Sequence, residues 1–257
     1  MNHLPILFED GEALVIDKPA GLPLDMPRAG GVSLDNYLPG LRLGFAREPQ
    51  PVHRLDRDTS GCLLLARNPK ALKRFSAAFE ERLVAKVYLG IVAGPVAGDH
   101  GVINLALTKI SSAADGWRMI LARKGKAALT RWRKLEENEN GTLVEFRPET
   151  GRTHQIRVHA LHGLGHALLG DPVYGERLST GPQAARTMLH ASRITITRAG
   201  KPPVDAFAPM PLDFRDLGFS EKPPTVWAPE GPGMVVEDIG EDSDEGTGED
   251  TGGDRAE

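Results

Sequence analysis

Residues 53–68 read HRLDRDTSGCLLLARN. The second half contains the short apolar run Cys62 to Ala66, which has the length of a buried strand, whereas the first half is almost wholly charged or hydroxylic. A strand that enters a core this abruptly leaves the polar segment before it at the strand's mouth. Two readings of that segment stand on its own residues. Asp58, Thr59 and Ser60 are turn formers that bond the local backbone, so the stretch is consistent with a surface turn. Alternatively Asp56, set between Arg54 and Arg57, is a carboxylate whose ionised form the neighbouring guanidinium groups favour, as nucleophile or base chemistry needs.

Working outward from the segment, Asn68 followed by Pro69 is a helix cap and a first-turn proline, and Leu72, Phe75, Phe79 and Leu83 then recur at three- and four-residue spacing. This pattern predicts an amphipathic helix over residues 69–83. On the other side, ILFEDGEALVIDKPAGLPL holds two apolar runs around Asp10-Gly11, a tight hairpin signal, and places Asp17 and Lys18 at a strand end before a loop. Strands are expected at residues 86–93, 118–122, 130–135 and 142–146, the last two joined through Asn140-Gly141, and a final pair at 188–197 and 204–207. Strands and helices mixed without a repeating strand-helix unit indicate an α+β fold with a largely antiparallel sheet.

Two further segments carry chemistry-bearing residues. Lys86-Val87-Tyr88 opens a strand, and alternation puts Lys86 and Tyr88 on one face. A half-buried strand tyrosine explains this, and so does an aromatic that stacks on a base beside a cation that touches phosphate. The stretch 151–166, GRTHQIRVHALHGLGH, brings together Arg152, Arg157 and the histidines at 154, 159, 162 and 166, with Thr153 as a possible helix cap and Gly163 and Gly165 as breakers before His166. A metal site is weakly supported, because HExxH and CxxC patterns are absent and no acid lies between Arg152 and Gly170.

Composition sets the outer limits. The longest apolar stretches fall far below the roughly 18 residues of a membrane span, and the N-terminus lacks a basic region followed by a long apolar one, so a cytoplasmic, non-membrane protein is expected. The single cysteine, Cys62, lies in an apolar run as a buried small hydrophobe. Residues 229–257 hold eleven Asp or Glu against Arg255 alone, a net of −10, which leaves +6 for residues 1–228 out of the chain's −4. The basic body suits a polyanionic partner. The tail, poor in apolar residues, is expected to be disordered, so the domain division is residues 1–228 and 229–257, and as a tethered polyanion the tail is expected to compete with that partner.

Taken together, HRLDRDTSG at 53–61, KVY at 86–88 and GRTHQIRVH at 151–159 resemble, in order and separation, the three signature segments of the RluA-type RNA pseudouridine synthases. The opening EDGEALVIDKPAGLPL and the later GDPVYG at 170–175 match as well, and the resemblance spans about residues 5–212. The RsuA-type synthases match the first segment more loosely and GRTHQIR poorly. The resemblance implies the pseudouridine synthase fold, a mixed, largely antiparallel sheet flanked by helices around a central cleft. It implies isomerisation of selected uridines in structured ribosomal or transfer RNA, by a monomer without cofactor or metal. Carried over to this chain, Asp56 is the essential aspartate, Tyr88 the aromatic beside the uracil, Arg152 the arginine pairing with the aspartate, and Arg54 the residue that fills the gap left by the flipped base. His53, Arg57, Lys86, His154 and Arg157 complete the expected RNA-contacting set. A catalytically inert RNA-binding module and a histidine-cluster metallohydrolase are the competing readings.

Overall fold

The computed structural model describes residues 3–112, 116–175, 183–221 and 234–237. Its strands and helices run β1 (Ile6–Glu9), β2 (Ala13–Lys18), β3 (Gln50–Pro51), β4 (Ser60–Ala66), α1 (Pro69–Glu80), β5 (Val84–Val92), β6 (His100–Asn104), β7 (Leu107–Ser112), β8 (Gly116–Leu121), β9 (Leu129–Asn138), β10 (Gly141–Pro148), α2 (Gln155–Leu164), β11 (Leu189–Arg198), β12 (Lys201–Phe207), α3 (Leu212–Asp216) and β13 (Met234–Glu237). One large sheet has the order β1-β2-β4-β11-β5-β10-β9-β6-β13, with β3 added to β4 and β12 to β11, while β7 and β8 form a separate two-stranded sheet. All pairings are antiparallel except β4 with β11 and β6 with β13. This is the α+β arrangement expected, a mostly antiparallel sheet with few helices.

The apolar run Cys62 to Ala66 lies in strand β4, every residue of which is buried. It pairs with β2 from Ala13↔Ala66 to Lys18↔Gly61 and touches β11 at its first two residues. Gly61 sits at that contact with φ +105, and a Cβ there would lie 2.2 Å from the Ala191 carbonyl oxygen, so only glycine allows the two backbones to meet. The consequence is positional: residues 53–59 leave the sheet beside the middle of β5. Cys62 is buried, as expected, and its thiol is pushed up to about 12 by desolvation, with the Asp17 charge adding to the shift.

Helix α1 begins as the sequence indicates, with the Asn68 side chain accepting from the Ala71 N–H at 2.9 Å and Pro69 in the first turn. It buries Ala71 and Phe75 against the core beneath β4, a position where Phe→Ala typically costs about 3–5 kcal/mol. The helix stops at Glu80 and not at residue 83. Arg82 turns left-handed (φ 60) and Leu83, expected on the buried face, is 64% exposed. Helix α2 also departs from expectation. Its N-cap is His154, held left-handed at φ 52, and not Thr153. Gly163 stays inside the helix, where its missing side chain makes room for Ile103, and the left-handed Gly165 alone ends it.

The sheet carries two principal cores. One gathers β1, β2, β4, α1 and β12, and the other gathers β6, β9, β10 and α2; Tyr88 of β5 packs against both. The strand expected at 118–122 exists as β8, but it pairs with β7 outside the large sheet. The tail requires a correction: Met234–Glu237 add to the sheet as β13, parallel to β6, with Val236 packed on the second core. The backbone ladder to β6 and the packing of Val236 hold this segment on the open edge despite the acidic composition around it, while Val235 stays exposed. The rest of segment 229–257 lies outside the described residues.

Candidate active site

A cleft of about 280 Å3 opens where the two cores meet, walled by residues 53–56 of the loop before β4, Phe79 of α1, Lys86 and Tyr88 of β5, and residues 150–157 leading into α2. Its volume lies at the lower end of the roughly 300–1,000 Å3 of small-ligand pockets, a size suited to one nucleobase.

The Asp56 turn is pinned from below. The Asp56 carbonyl accepts from the Thr59 N–H at 3.1 Å, closing the turn. Lys18, wholly buried at the end of β2, donates from Nζ to the carbonyls of Pro19, Leu22 and Arg57, each at 2.9 Å. Burial lowers this ammonium to about 8, with Arg186 adding to the drop and Asp58, Asp56 and Asp17 opposing it. His53 fixes the other end. Its Nε2 accepts from the Leu64 N–H at 3.0 Å and its ring stacks on Phe79 at 4.7 Å. Desolvation, aided by the Lys86 cation, depresses the imidazole to about 3, in keeping with a ring nitrogen that must stay unprotonated to accept. His53, expected to contact RNA, lines the cleft and commits its Nε2 to β4. Arg57 also turns away, its Nε donating to the Gly21 carbonyl at 3.3 Å outside the cleft lining.

The arginine that reaches Asp56 is Arg157, not Arg152. Arg157 Nη1 lies 3.2 Å from Asp56 Oδ2, while Nε and Nη2 of the same guanidinium grip Asp171 at 2.6 and 2.7 Å. Desolvation works against this cation, but the hydrogen bonds and charges of Asp171 and Asp56 outweigh it and raise its affinity for the proton. Arg152 instead donates from Nε to the Ala127 carbonyl at 3.0 Å and lines the outer cleft. The reason is local geometry. Residues 150–154 form the turn before α2, locked by Gln155, whose Oε1 accepts from Thr150 Oγ1 and the Arg152 N–H. Arg157, in the first turn of the helix, therefore reaches Asp56 where Arg152 cannot. No acid lies between Arg152 and Gly170, but Asp171, the next residue, completes the site. A doubly paired arginine needs two carboxylates, and the acid in GDPVYG was the available signal.

His154 sits beside them, Nε2 3.7 Å from Asp56 Oδ2 and Nδ1 2.9 Å from the Tyr174 hydroxyl. That hydroxyl accepts from the Met119 N–H at 3.0 Å and so ties His154 to the strand that carries Met119. Desolvation lowers the His154 imidazole, against the pull of Asp56. The remaining histidines do not join it. His159 is buried with Nδ1 on Thr130 Oγ1 and Nε2 on the Leu105 carbonyl, and His162 is exposed. Among the described residues no group of three His, Cys, Asp or Glu has metal-binding geometry.

Across the cleft, Lys86 and Tyr88 project from β5 on one face, as alternation requires. Burial raises the Tyr88 hydroxyl above its usual range, with the Asp56 charge reinforcing it, so the phenol stays protonated. Burial lowers Lys86 to about 8, helped by Arg82. Arg54 is exposed at the mouth.

The site and sheet define a class of protein, the pseudouridylate synthases. The human protein RNA pseudouridylate synthase domain containing 4 superposes with a TM-score of 0.69 at 25% identity, over 86% of this chain and 95% of that one. Human RNA pseudouridylate synthase domain containing 1 gives 0.65 at 30% identity, over 80% of this chain and 83% of that one. Residues 12–162 match the RNA pseudouridylate synthase family model. An uncharacterised RNA pseudouridine synthase of Zymomonas mobilis is 53% identical over 83% of this chain and 97% of its own. The ribosomal large subunit pseudouridine synthase D of the same organism is 36% identical over 83% of this chain and 71% of its own. The chain belongs to the RNA pseudouridylate synthase family, in its RluA-type branch. It is an isomerase that converts uridine in RNA to pseudouridine.

Proposed function

We propose that Asp56 is the group that reacts at the target uridine and that the RNA is ribosomal. The observation that carries the first part is the Arg157 guanidinium, which holds one Asp56 oxygen while itself locked on Asp171. This orients a carboxylate toward a base-sized cleft without spending both of its oxygens. A uridine in structured RNA must be flipped out to enter, at a cost of a few kcal/mol, and Arg54 at the mouth has the planar cation to occupy the vacated stack. Tyr88 stacks on the uracil, and Lys86 places a cation beside it. Breaking C1′–N1 leaves the electron pair on uracil N1. Asp56 assists either by bonding to C1′, to be expelled when C5 attacks, or by taking the 2′ proton to give a glycal, to whose C1′ C5 then adds as the Asp56 carboxyl returns the proton to C2′. In both routes the C5 proton is lost after the new C–C bond forms and N1 takes up a proton, which completes the isomerisation. No step asks for a cofactor or metal.

Ribosomal RNA is supported by relatives named ribosomal large subunit pseudouridine synthase, the D enzyme of Zymomonas mobilis and the C enzyme of Vibrio vulnificus, the latter 37% identical over 80% of this chain. Mapping pseudouridines in ribosomal and transfer RNA from cells with and without the protein tests it; a loss confined to transfer RNA refutes it. For the chemistry, Asp56→Asn keeps volume and turn propensity but neither attacks carbon nor accepts a proton. Turnover is expected to fall below detection with thermal unfolding and RNA affinity retained. Asp58→Asn, two residues away, is expected to keep most activity, and an active Asp56→Asn enzyme overturns the assignment.

A further inference from the structure

The hairpin formed by β7 and β8 is the largest feature near the cleft that the chemistry leaves unused. Residues 107–126 hold five Lys or Arg against one acid, Asp115. Cross-strand partners share a face, and the register pairs Leu107 with Leu121, Lys109 with Met119 and Ser111 with Trp117. That inward face therefore has two parts. Near the base, Leu107 and Met119 are buried against Val158 of α2. Farther toward the tip the same face carries Trp117, which remains 45% exposed, with Lys109 Nζ 4.9 Å from its ring centre. The Trp117 ring lies 4.8 Å from the His154 ring, tilted by 31°. His154 in turn is the residue whose Nε2 stands 3.7 Å from Asp56.

A single exposed aromatic is ordinary on a protein surface. Here it is one side chain away from the reacting carboxylate, it is served by a cation at diagonal register, and the apolar packing that holds the hairpin is already satisfied by its neighbours. We infer that Trp117, backed by His154, is a stacking platform for the nucleobase adjacent to the target uridine in the RNA strand. The target uracil has its own ring, Tyr88, inside the cleft. Trp117 lies outside it, beyond Asp56 and His154, so a strand whose sugar C1′ sits at Asp56 meets Trp117 with its next base. The Lys109 ammonium, which lies over the Trp117 ring, moves aside for that base and meets the phosphate of its nucleotide. Stacking of this kind tolerates every base and favours the larger purine face, so the platform confers a modest purine preference beside the target. The hydrogen bond from the Met119 N–H to the Tyr174 hydroxyl sets the hairpin's height above the cleft.

The inference rests on the isomerase reading, but its test uses binding alone, so the two fail separately: inactive enzyme of intact binding condemns the first and not the second. Fluorescence anisotropy is measured with short single-stranded RNAs containing one uridine flanked on both sides by adenine, by uracil or by abasic residues. The wild-type protein is expected to bind the adenine-flanked RNA about five- to a hundredfold more tightly than the abasic-flanked one, the range of stacking on a single aromatic, with uracil between. Trp117→Leu keeps apolar bulk but cannot stack, and it is expected to erase the difference; Trp117→Phe is expected to keep most of it. Lys109→Gln is expected to weaken all three RNAs alike and to flatten the salt dependence, whereas Trp117→Leu leaves that slope unchanged. A 2-aminopurine placed beside the uridine gives a second readout within the wild-type protein, its fluorescence quenched on binding if it stacks. Indifference of the wild type to abasic flanks, unquenched 2-aminopurine, or a Trp117→Leu protein that still prefers adenine overturns the platform.

Discussion

The inner wall of the cleft and the hairpin that overhangs it are both cationic, yet they are built in opposite ways. Around Asp56 the buried charges are tied: Lys18 beneath the turn to three carbonyls, Arg157 to two carboxylates, Asp171 also to the N–H groups of Val173 and Tyr174. The hairpin forms its own two-stranded sheet, tied to the body by a small apolar cluster, by a backbone bond at its base from the Ala122 N–H to the Ala106 carbonyl, and by the Tyr174 hydroxyl. The difference teaches a division of labour. Bond chemistry needs a carboxylate held to a fraction of an ångström, and a low-dielectric, fully paired surrounding provides that. Gripping RNA needs exposed charge and a face that can adjust, and a hairpin resting on few contacts provides that.

The comparison breaks first if the inner wall tolerates damage. Asp171→Leu leaves the buried Arg157 with half its partners, and loss of one member of a buried pair typically costs about 3–5 kcal/mol. For a domain of this size that corresponds to a melting temperature lowered by about 6–20 °C. Turnover is expected to fall with it as Arg157 swings from Asp56, and an unchanged melting curve would show that the pair is not structural. Tyr174→Phe probes the other region. It removes the acceptor of the Met119 N–H and the hydrogen-bond partner of His154 Nδ1, at about 1–3 kcal/mol for the unsatisfied groups. The loss is expected locally, as faster amide exchange in residues 116–121 with little change in global melting; a uniform loss across the protein would mean that hairpin and body are one unit.

A smaller effect sharpens the comparison through pH. Lys86 is lowered to about 8 by burial and by Arg82, so it is cationic below that pH and neutral above it, while in the unfolded chain it stays charged to about 10.4. As pH rises through 8 the cleft loses one positive charge, and RNA affinity is expected to weaken a few-fold between pH 7 and 9, by about one phosphate contact. Lys86→Arg is expected to remove that dependence in a binding titration, and a pH profile identical in wild type and variant would exclude Lys86 as its source. Smallest of all is removal of residues 234–257. It strips the four-residue β13 ladder and the packing of Val236, for an expected loss of about 1 kcal/mol, or about 2–4 °C, with turnover retained. With most of the tail's acids gone, nonspecific RNA binding at low salt is expected to tighten; failure to fold would make β13 part of the core.

Much of this molecule is legible in its chain because the signals are local. Asn68-Pro69 starts α1, Asp10-Gly11 and Asn140-Gly141 sit at hairpin turns, and the switch from polar to apolar at Cys62 marks the buried strand with Asp56 at its mouth. Tyr88 and Lys86 share a face by alternation alone. These follow from dihedral preference and side-chain period, which act over a few residues. Which arginine meets Asp56 was not legible: Arg152 and Arg157 stand in the same short segment, and choosing between them requires knowing that α2 starts at Gln155 and that Asp171 returns to meet its first turn. Nor could the chain reveal that Trp117 lies over His154, that Lys18 holds the Asp56 turn from 39 positions away, or that Met234–Glu237 close a sheet edge within an acidic tail. Each of those contacts joins segments far apart in sequence, and it forms only because the sheet brings them within a few ångströms, where burial strengthens every charge and hydrogen bond between them.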